Sequence, residues 1–284
     1  MARMPKTAWG YSTRIEQQYN NSLQRLQQQI TSQLQGADST AEISRRLREI
    51  SNSPEFQNFA QNMAANMARQ VYRESGMQWR RLAHEAGRRR GAAIYNALQN
   101  EINNTSIGGA ISDIVFENTN WIKNLPTQLD AEFLSNLAME GAFAGQRSES
   151  LIPDMIERFG EEFANRAKLI ARTETAKAQS ALTQARAQSM GLNWYIWRTA
   201  RDGMRVRESH RHMEGVLVNW GDPPNPEAII GKQTKNGEYH AGNIYNCRCY
   251  SEPVVDIGWL EFPVRVFHNG EIINMNRRQF ESAA

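Results

Sequence analysis

Between Ile15 and Leu34 the apolar side chains Ile15, Tyr19, Leu23, Leu26, Ile30 and Leu34 recur at steps of four, four, three, four and four, with glutamine and asparagine filling most gaps. A strand alternates its faces with a period of two, so only a helix returns these residues to one side. The segment is therefore a long amphipathic helix whose stripe has to be covered by its own domain or by another chain. Gly36 closes it. Ser39 to Glu42 (STAE) reads as a capping box that opens a second helix through Ile43, Leu47 and Ile50. Ser53 with Pro54 starts a third, whose stripe Phe56, Phe59, Met63, Met67 and Val71 is expected to stop at Gly76, with a fourth from Met77 to about Glu101. The breakers of Asn103 to Asp113 mark a boundary. Helix resumes after Pro126 over 127–145 and 151–159, and the Ala-rich, Gly-bounded stretch 160–191 predicts one further long helix.

Only then does the pattern change. WYIWR (Trp194 to Arg198), GVLVNW (Gly215 to Trp220) and EPVVD (Glu252 to Asp256) read as strands, and Asn269-Gly270 between two β-prone runs predicts a hairpin. The fold class is α+β, a long helical N-terminal region followed by a small mixed α/β C-terminal domain with short antiparallel strands. The domains expected are a basic helical arm (1–110), a linker (111–129), a compact domain (130–256) and a C-terminal β-hairpin tail (257–284). On that division, deleting 1–110 leaves the compact domain folded.

Net charge is only +3, but residues 1–110 carry a local +6. Arg80, Arg81, Arg88, Arg89 and Arg90 crowd WRRLAHEAGRRR, and such a cluster either meets nucleic-acid phosphates or forms a solvated face for an acidic protein. No run of about 18 apolar residues occurs, and the first residues lack the apolar core of a secretory signal, so a soluble protein in a reducing cytoplasm with free thiols is expected.

The two cysteines stand in NCRC, where Cys247 and Cys249 share a face if the chain is extended and Arg248 faces the other way. About 35 positions upstream, RESHRHMEG places Arg207, His210 and Glu214 on one face of a short helix and turns His212 away. His210, Cys247 and Cys249, with His240 of GEYHAGN as a fourth, offer the sulfur and nitrogen donors that zinc takes. The same cysteines also suit the role of small buried hydrophobes.

Three segments in fixed order carry a resemblance: LIARTETAKAQSALTQARAQSMG (Leu169 to Gly191), WYIWRTARDGMRVRESHRHMEG (Trp194 to Gly215) and NCRCYSEP (Asn246 to Pro253). Together they resemble the Mu F-type phage head morphogenesis proteins, minor head components of tailed double-stranded DNA phages, over roughly 130–255. Within them Arg172, Glu174, Asp202, Arg207, Glu214 and Arg248 are expected to hold the motif together. Many members carry a Cys-Pro-x-Cys pair and a histidine three positions before CRC, which read as a zinc site. Here Arg207 and His210 stand at the places of the early cysteines and Ile244 at that of the histidine, which leaves His210, Cys247 and Cys249 as matched ligands or as a hydrogen-bonded junction without an ion.

The resemblance implies an assembly role inside the procapsid near the portal vertex, with the host cytoplasm as the site of assembly. The implied partners are the portal, non-specific double-stranded DNA and capsid or scaffold proteins, with no membrane, and the implied task is packaging or ejection. The runner-up is a nuclease or nucleotide-transferring enzyme that uses His210 as acid or base and Arg207 to stabilise charge. An enzyme would bring these side chains to an open cleft, whereas a structural junction would have them buried and mutually paired.

Overall fold

A computed structural model describes residues 9–140, 148–200 and 206–283. The chain forms two compact units, one drawn from the segments Met1–Ser12, Gln70–Ser112 and Thr175–Ala284, the other from Thr13–Arg69 and Asp113–Glu174. In chain order the helices are α1 (Thr13–Leu34), α2 (Thr40–Asn52), α3 (Pro54–Glu85), α4 (Gly87–Asn100), α5 (Thr105–Glu140), α6 (Ser148–Ser189), α7 (Glu208–Met213), α8 (Pro226–Ile229) and α9 (Arg277–Ala283). The strands are β1 (Trp194–Arg198), β2 (Leu217–Asn219), β3 (Tyr250–Pro253), β4 (Val264–His268) and β5 (Glu271–Met275).

In the helical unit the α1 stripe is buried along its whole length, from Ile15 to Leu34. Ser39 caps α2 by accepting from the Glu42 amide at 3.2 Å. The Glu42 carboxylate reaches back to the Asp38 amide at 3.1 Å, one residue earlier than a strict capping box requires. Arg46 on α2 donates to the carbonyls of Gln33 and Gln35, both at 3.0 Å, and so satisfies acceptors left open at the end of α1.

Several expected breaks are absent. α3 runs through Gly76 because Val71, Gln78, Trp79 and Leu82 continue its buried face. It ends only at Glu85, two residues before Gly87, whose φ of 79° is the left-handed conformation that glycine adopts without cost. The boundary expected at 103–113 shrinks to Asn104, which leaves the helix and caps α5 by accepting from Ser106 and Ile107 amides. The linker expected at 111–129 is helix, and α5 passes Pro126. An interior proline costs about 3 kcal/mol, and here Ile107, Ile114, Ile122, Leu125 and Leu129 bury one face and outweigh it. Likewise 151–159 and 160–189 belong to one helix, α6, with Pro153 inside it.

The second unit is built on a five-stranded mixed sheet of order β3-β1-β2-β4-β5. All neighbouring pairs are antiparallel except β2 with β4, where Leu217 opposes Val266 in parallel. The expected hairpin tail is therefore part of this sheet, and β3 starts at Tyr250, immediately after the second cysteine. Alternation along β1 explains why WYIWR is apolar throughout: Trp194 and Ile196 join Leu217, Val266, Met275 and Phe280 on one face, while Tyr195 and Trp197 join Val216, Val218 and Phe267 on the other.

The second face is covered by residues distant in sequence: Trp9, Trp79, Leu82, Ala83 and Ile94. Trp9 donates from its indole to the Ser251 carbonyl at 2.7 Å and meets Trp79 edge-on at 5.2 Å. Gly10 accepts from Gln78, and Ser12 donates to Gln179. The segment expected to be a separate arm thus supplies core to the sheet.

Candidate functional site

α7 follows β1 and is only six residues long, flanked by Arg207 in extended backbone and Glu214 at its end. Helical spacing therefore does not reach the two flanking residues, and the shared face expected for Arg207, His210 and Glu214 does not form. Arg207 donates to the Tyr245 carbonyl at 3.0 Å and lies over the Tyr245 ring. Glu214 accepts from the amide and hydroxyl of Thr199 at 2.6 and 2.7 Å, with Arg198 at 3.6 Å. His210 alone turns inward, 2% exposed, while His212 faces solvent. Arg265 of β4 closes the end of α7 by donating to the carbonyls of His212 and Glu214 at 2.7 and 3.2 Å.

The facing wall is the cysteine turn. At Gly242, φ 84°, an added Cβ would lie 2.7 Å from the Cys249 carbonyl oxygen and 3.3 Å from that of Ala176 on α6, so only glycine lets the loop come this close. Asn246 adopts a φ of 54°, in the left-handed region that asparagine tolerates, and tightens the turn. Cys247 and Cys249, each 4% exposed, then lie 3.5 and 3.4 Å from Nδ1 of His210. The three donor atoms are within 4.8 Å of one another. The Cys249 amide donates to the Cys247 sulfur at 3.2 Å. The hydrogen bond from the Cys249 thiol, supported by His210, holds Cys247 well below the ordinary thiol range, and the same contact with burial pushes Cys249 well above it.

Sequence reasoning missed what stands behind His210. Its Nε2 is 3.0 Å from the Tyr239 hydroxyl, which donates to Glu227 of α8 at 2.6 Å. The Ser209 hydroxyl donates to the other Glu227 oxygen at 3.0 Å. Burial works against the Glu227 charge, but these two hydrogen bonds hold its carboxyl below the ordinary carboxylate range. In GEYHAGN the partner of His210 is Tyr239, and its neighbour His240 drew the assignment instead. His240 faces elsewhere, with Nδ1 3.1 Å from the Tyr195 hydroxyl and its ring edge-on to Trp220. Burial lowers its pKa to about 4, so it is neutral at pH 7. It is not part of the donor group, which corrects its expected place as fourth ligand.

Other residues singled out by sequence are dispersed. In the helical unit Arg172 pairs with Glu16 at 3.4 Å, and Glu174 accepts at 3.3 Å from Asn118, which in turn accepts from Tyr19. Arg248 lies 6.0 Å over the Tyr11 ring. Arg80, Arg81, Arg89 and Arg90 are exposed, Arg90 is also paired with Asp256, and the charge of Arg80 acts on Glu101. Asp202 and the side chain of Arg88 lie outside the described residues.

Two sulfurs and an imidazole nitrogen meeting at one buried point suit a cation that takes sulfur and nitrogen ligands, such as Zn²⁺. They supply three of its four positions, and no fourth His, Cys, Asp or Glu joins them among the described residues.

Residues 133–252 are similar to the family described as Phage Mu protein F like protein. An uncharacterized protein of Haemophilus influenzae is 28% identical over 177 residues, which is 62% of this chain and 35% of that relative. The chain thus spans about a third of that relative's length, 35%. No solved structure matches significantly.

Proposed function

We propose that the chain is a head morphogenesis protein of a tailed double-stranded DNA phage, a structural component that associates with the portal vertex inside the procapsid and aids packaging or ejection. The match of residues 133–252 to the phage Mu F-like family carries this reading. The burial of His210 and its pairing with Tyr239 and two sulfurs support an assembly role over the nuclease or nucleotide-transfer alternative, which needs His210 and Arg207 at an open cleft. Among the described residues no helix is long and apolar enough to cross a membrane. Portal, capsid or scaffold proteins are the proposed partners, with assembly in the host cytoplasm and residence in the virion. Co-expression with the portal, scaffold and major capsid proteins of its phage tests this directly: the chain should sediment with assembled heads and be lost from heads built without portal. A chain left at the top of the gradient in both cases rules the proposal out.

DNA contact is proposed for the basic cluster, with Arg81 and Arg89 among its exposed members. Replacing both by glutamine should weaken binding equally for unrelated duplexes and flatten the dependence of log affinity on log salt by roughly 0.9 per lost phosphate contact. An unchanged slope, measured by salt titration, removes DNA from the list of partners.

His210, Cys247 and Cys249 are proposed to hold one Zn²⁺. Bound there, the ion supplies a cross-link between α7 and the turn that precedes β3.

A further inference from the structure

We infer that Tyr239 and Glu227 are positioning residues: they hold a ring N–H of His210 on Nε2 and thereby turn Nδ1 towards Cys247 and Cys249. A phenol hydroxyl has one proton and two lone pairs. The Tyr239 proton is committed to Glu227, at 2.6 Å. Glu227 acts as acceptor on both oxygens, since the Ser209 hydroxyl donates to the second. The Tyr239 oxygen therefore faces His210 Nε2, 3.0 Å away, with a lone pair, and only an N–H on Nε2 satisfies it. Nδ1 is then the ring nitrogen left to meet the two sulfurs, 3.5 and 3.4 Å away. The opposite tautomer would set two lone pairs against each other in a buried site, which costs about the desolvation penalty of an unmet hydrogen bond.

The relay is held from several directions. Ser209 is the neighbour of His210 on α7, so α7 supplies both the histidine and one of the donors that fix Glu227. Asn225 caps α8 by accepting from the Ala228 amide at 3.1 Å, which sets the short helix that carries Glu227. Trp197 and Tyr239 pack against the imidazole with ring centroids at 5.5 and 5.8 Å. A histidine that donates its far N–H to an oxygen acceptor backed by a carboxylate is oriented as a metal ligand through the other nitrogen. This deepens the metal reading proposed above, but the tautomer itself is readable with no ion present.

The test uses the full chain labelled with ¹⁵N, metal-free, with the His210 ring signals assigned by loss in His210→Asn. A ring protonated at Nε2 is expected, together with partial loss of the Nε2 proton in Tyr239→Phe. A wild-type ring bare at Nε2, with its proton on Nδ1, overturns the inference. Titration with Co²⁺, followed by its sulfur charge-transfer absorption, gives a second readout. Tyr239→Phe should weaken Co²⁺ binding by about 10- to 100-fold, and Glu227→Gln, which keeps an oxygen acceptor for Tyr239, should weaken it less. Equal affinity for the wild type and a folded Tyr239→Phe variant, with unchanged tautomer, would show that Tyr239 is merely structural. Failure of the wild type to take up Co²⁺ removes the metal reading, and the ring signals then decide the relay alone.

Discussion

Deleting residues 1–110 should abolish cooperative folding of the sheet-containing unit. The deletion removes Trp9, Trp79, Leu82, Ala83 and Ile94 from the cluster that covers Tyr195 and Trp197 of β1 and the cysteine turn. Truncating a buried tryptophan costs about 3–5 kcal/mol, so loss of the two tryptophans alone is worth roughly 6–10 kcal/mol. Domains are stable by only about 5–15 kcal/mol. The truncated chain should give a weak near-ultraviolet signal, bind a hydrophobic dye and melt without a sharp transition. A remnant with the intact protein's near-ultraviolet spectrum and a cooperative melt would restore the idea of a separable arm. Trp9→Ala is the milder version. It removes one aromatic contact and the hydrogen bond to Ser251, and should still lower stability by several kcal/mol, about 3–5.

Glu101→Ala should be nearly as damaging from a single carboxylate. Arg186 of α6 is fully buried and donates to both oxygens of Glu101, at 2.8 and 3.0 Å. Its guanidinium also lies 4.7 Å over the Tyr72 ring and is 3.4 Å from the Tyr72 carbonyl, while the Tyr72 hydroxyl donates to Glu101 at 2.5 Å. Burial raises the Glu101 pKa, but the hydrogen bonds from Arg186 and Tyr72 outweigh it and hold the carboxyl below its usual range. Removing the carboxylate strands a buried cation, which costs about 3–5 kcal/mol, whereas replacing the whole pair with apolar residues of similar volume is often near neutral. In urea melts Glu101→Ala should therefore be much less stable than Glu101→Leu combined with Arg186→Met. Equal losses in the two would mean that the pair is not desolvated as the geometry requires.

What could be read from sequence was whatever depended on neighbours along the chain. The α1 stripe, the Ser39 cap, strand β1 and the Asn269-Gly270 hairpin each rest on local spacing or turn chemistry, and each is present. Gly76, the breakers after Asn103, Pro126 and Gly160 were read as ends, yet the helices continue, because burial of a face is a tertiary quantity that a local propensity of a few kcal/mol cannot veto. The approach of His210 to the cysteines followed from motif order, not from spacing. Tyr239 and Glu227 sit on a short helix and an irregular loop with no periodicity, so nothing in the sequence marked them as partners. The choice of His240 failed for a related reason: a histidine in sequence carries no sign of which way its ring faces.

Trp9 and Ser251 are 242 residues apart, and their hydrogen bond fastens the first described residue to strand β3. A ribosome releases the chain from its N-terminus, so Trp9 waits, apolar and uncovered, until nearly all of the protein has emerged. The helical unit ends at Glu174 and is available to fold well before that. Contacts this distant slow folding because the loop must close before they reward it. The expected order is interior first and both ends last, and during that interval the unpaired tryptophan is a natural site for a chaperone to hold.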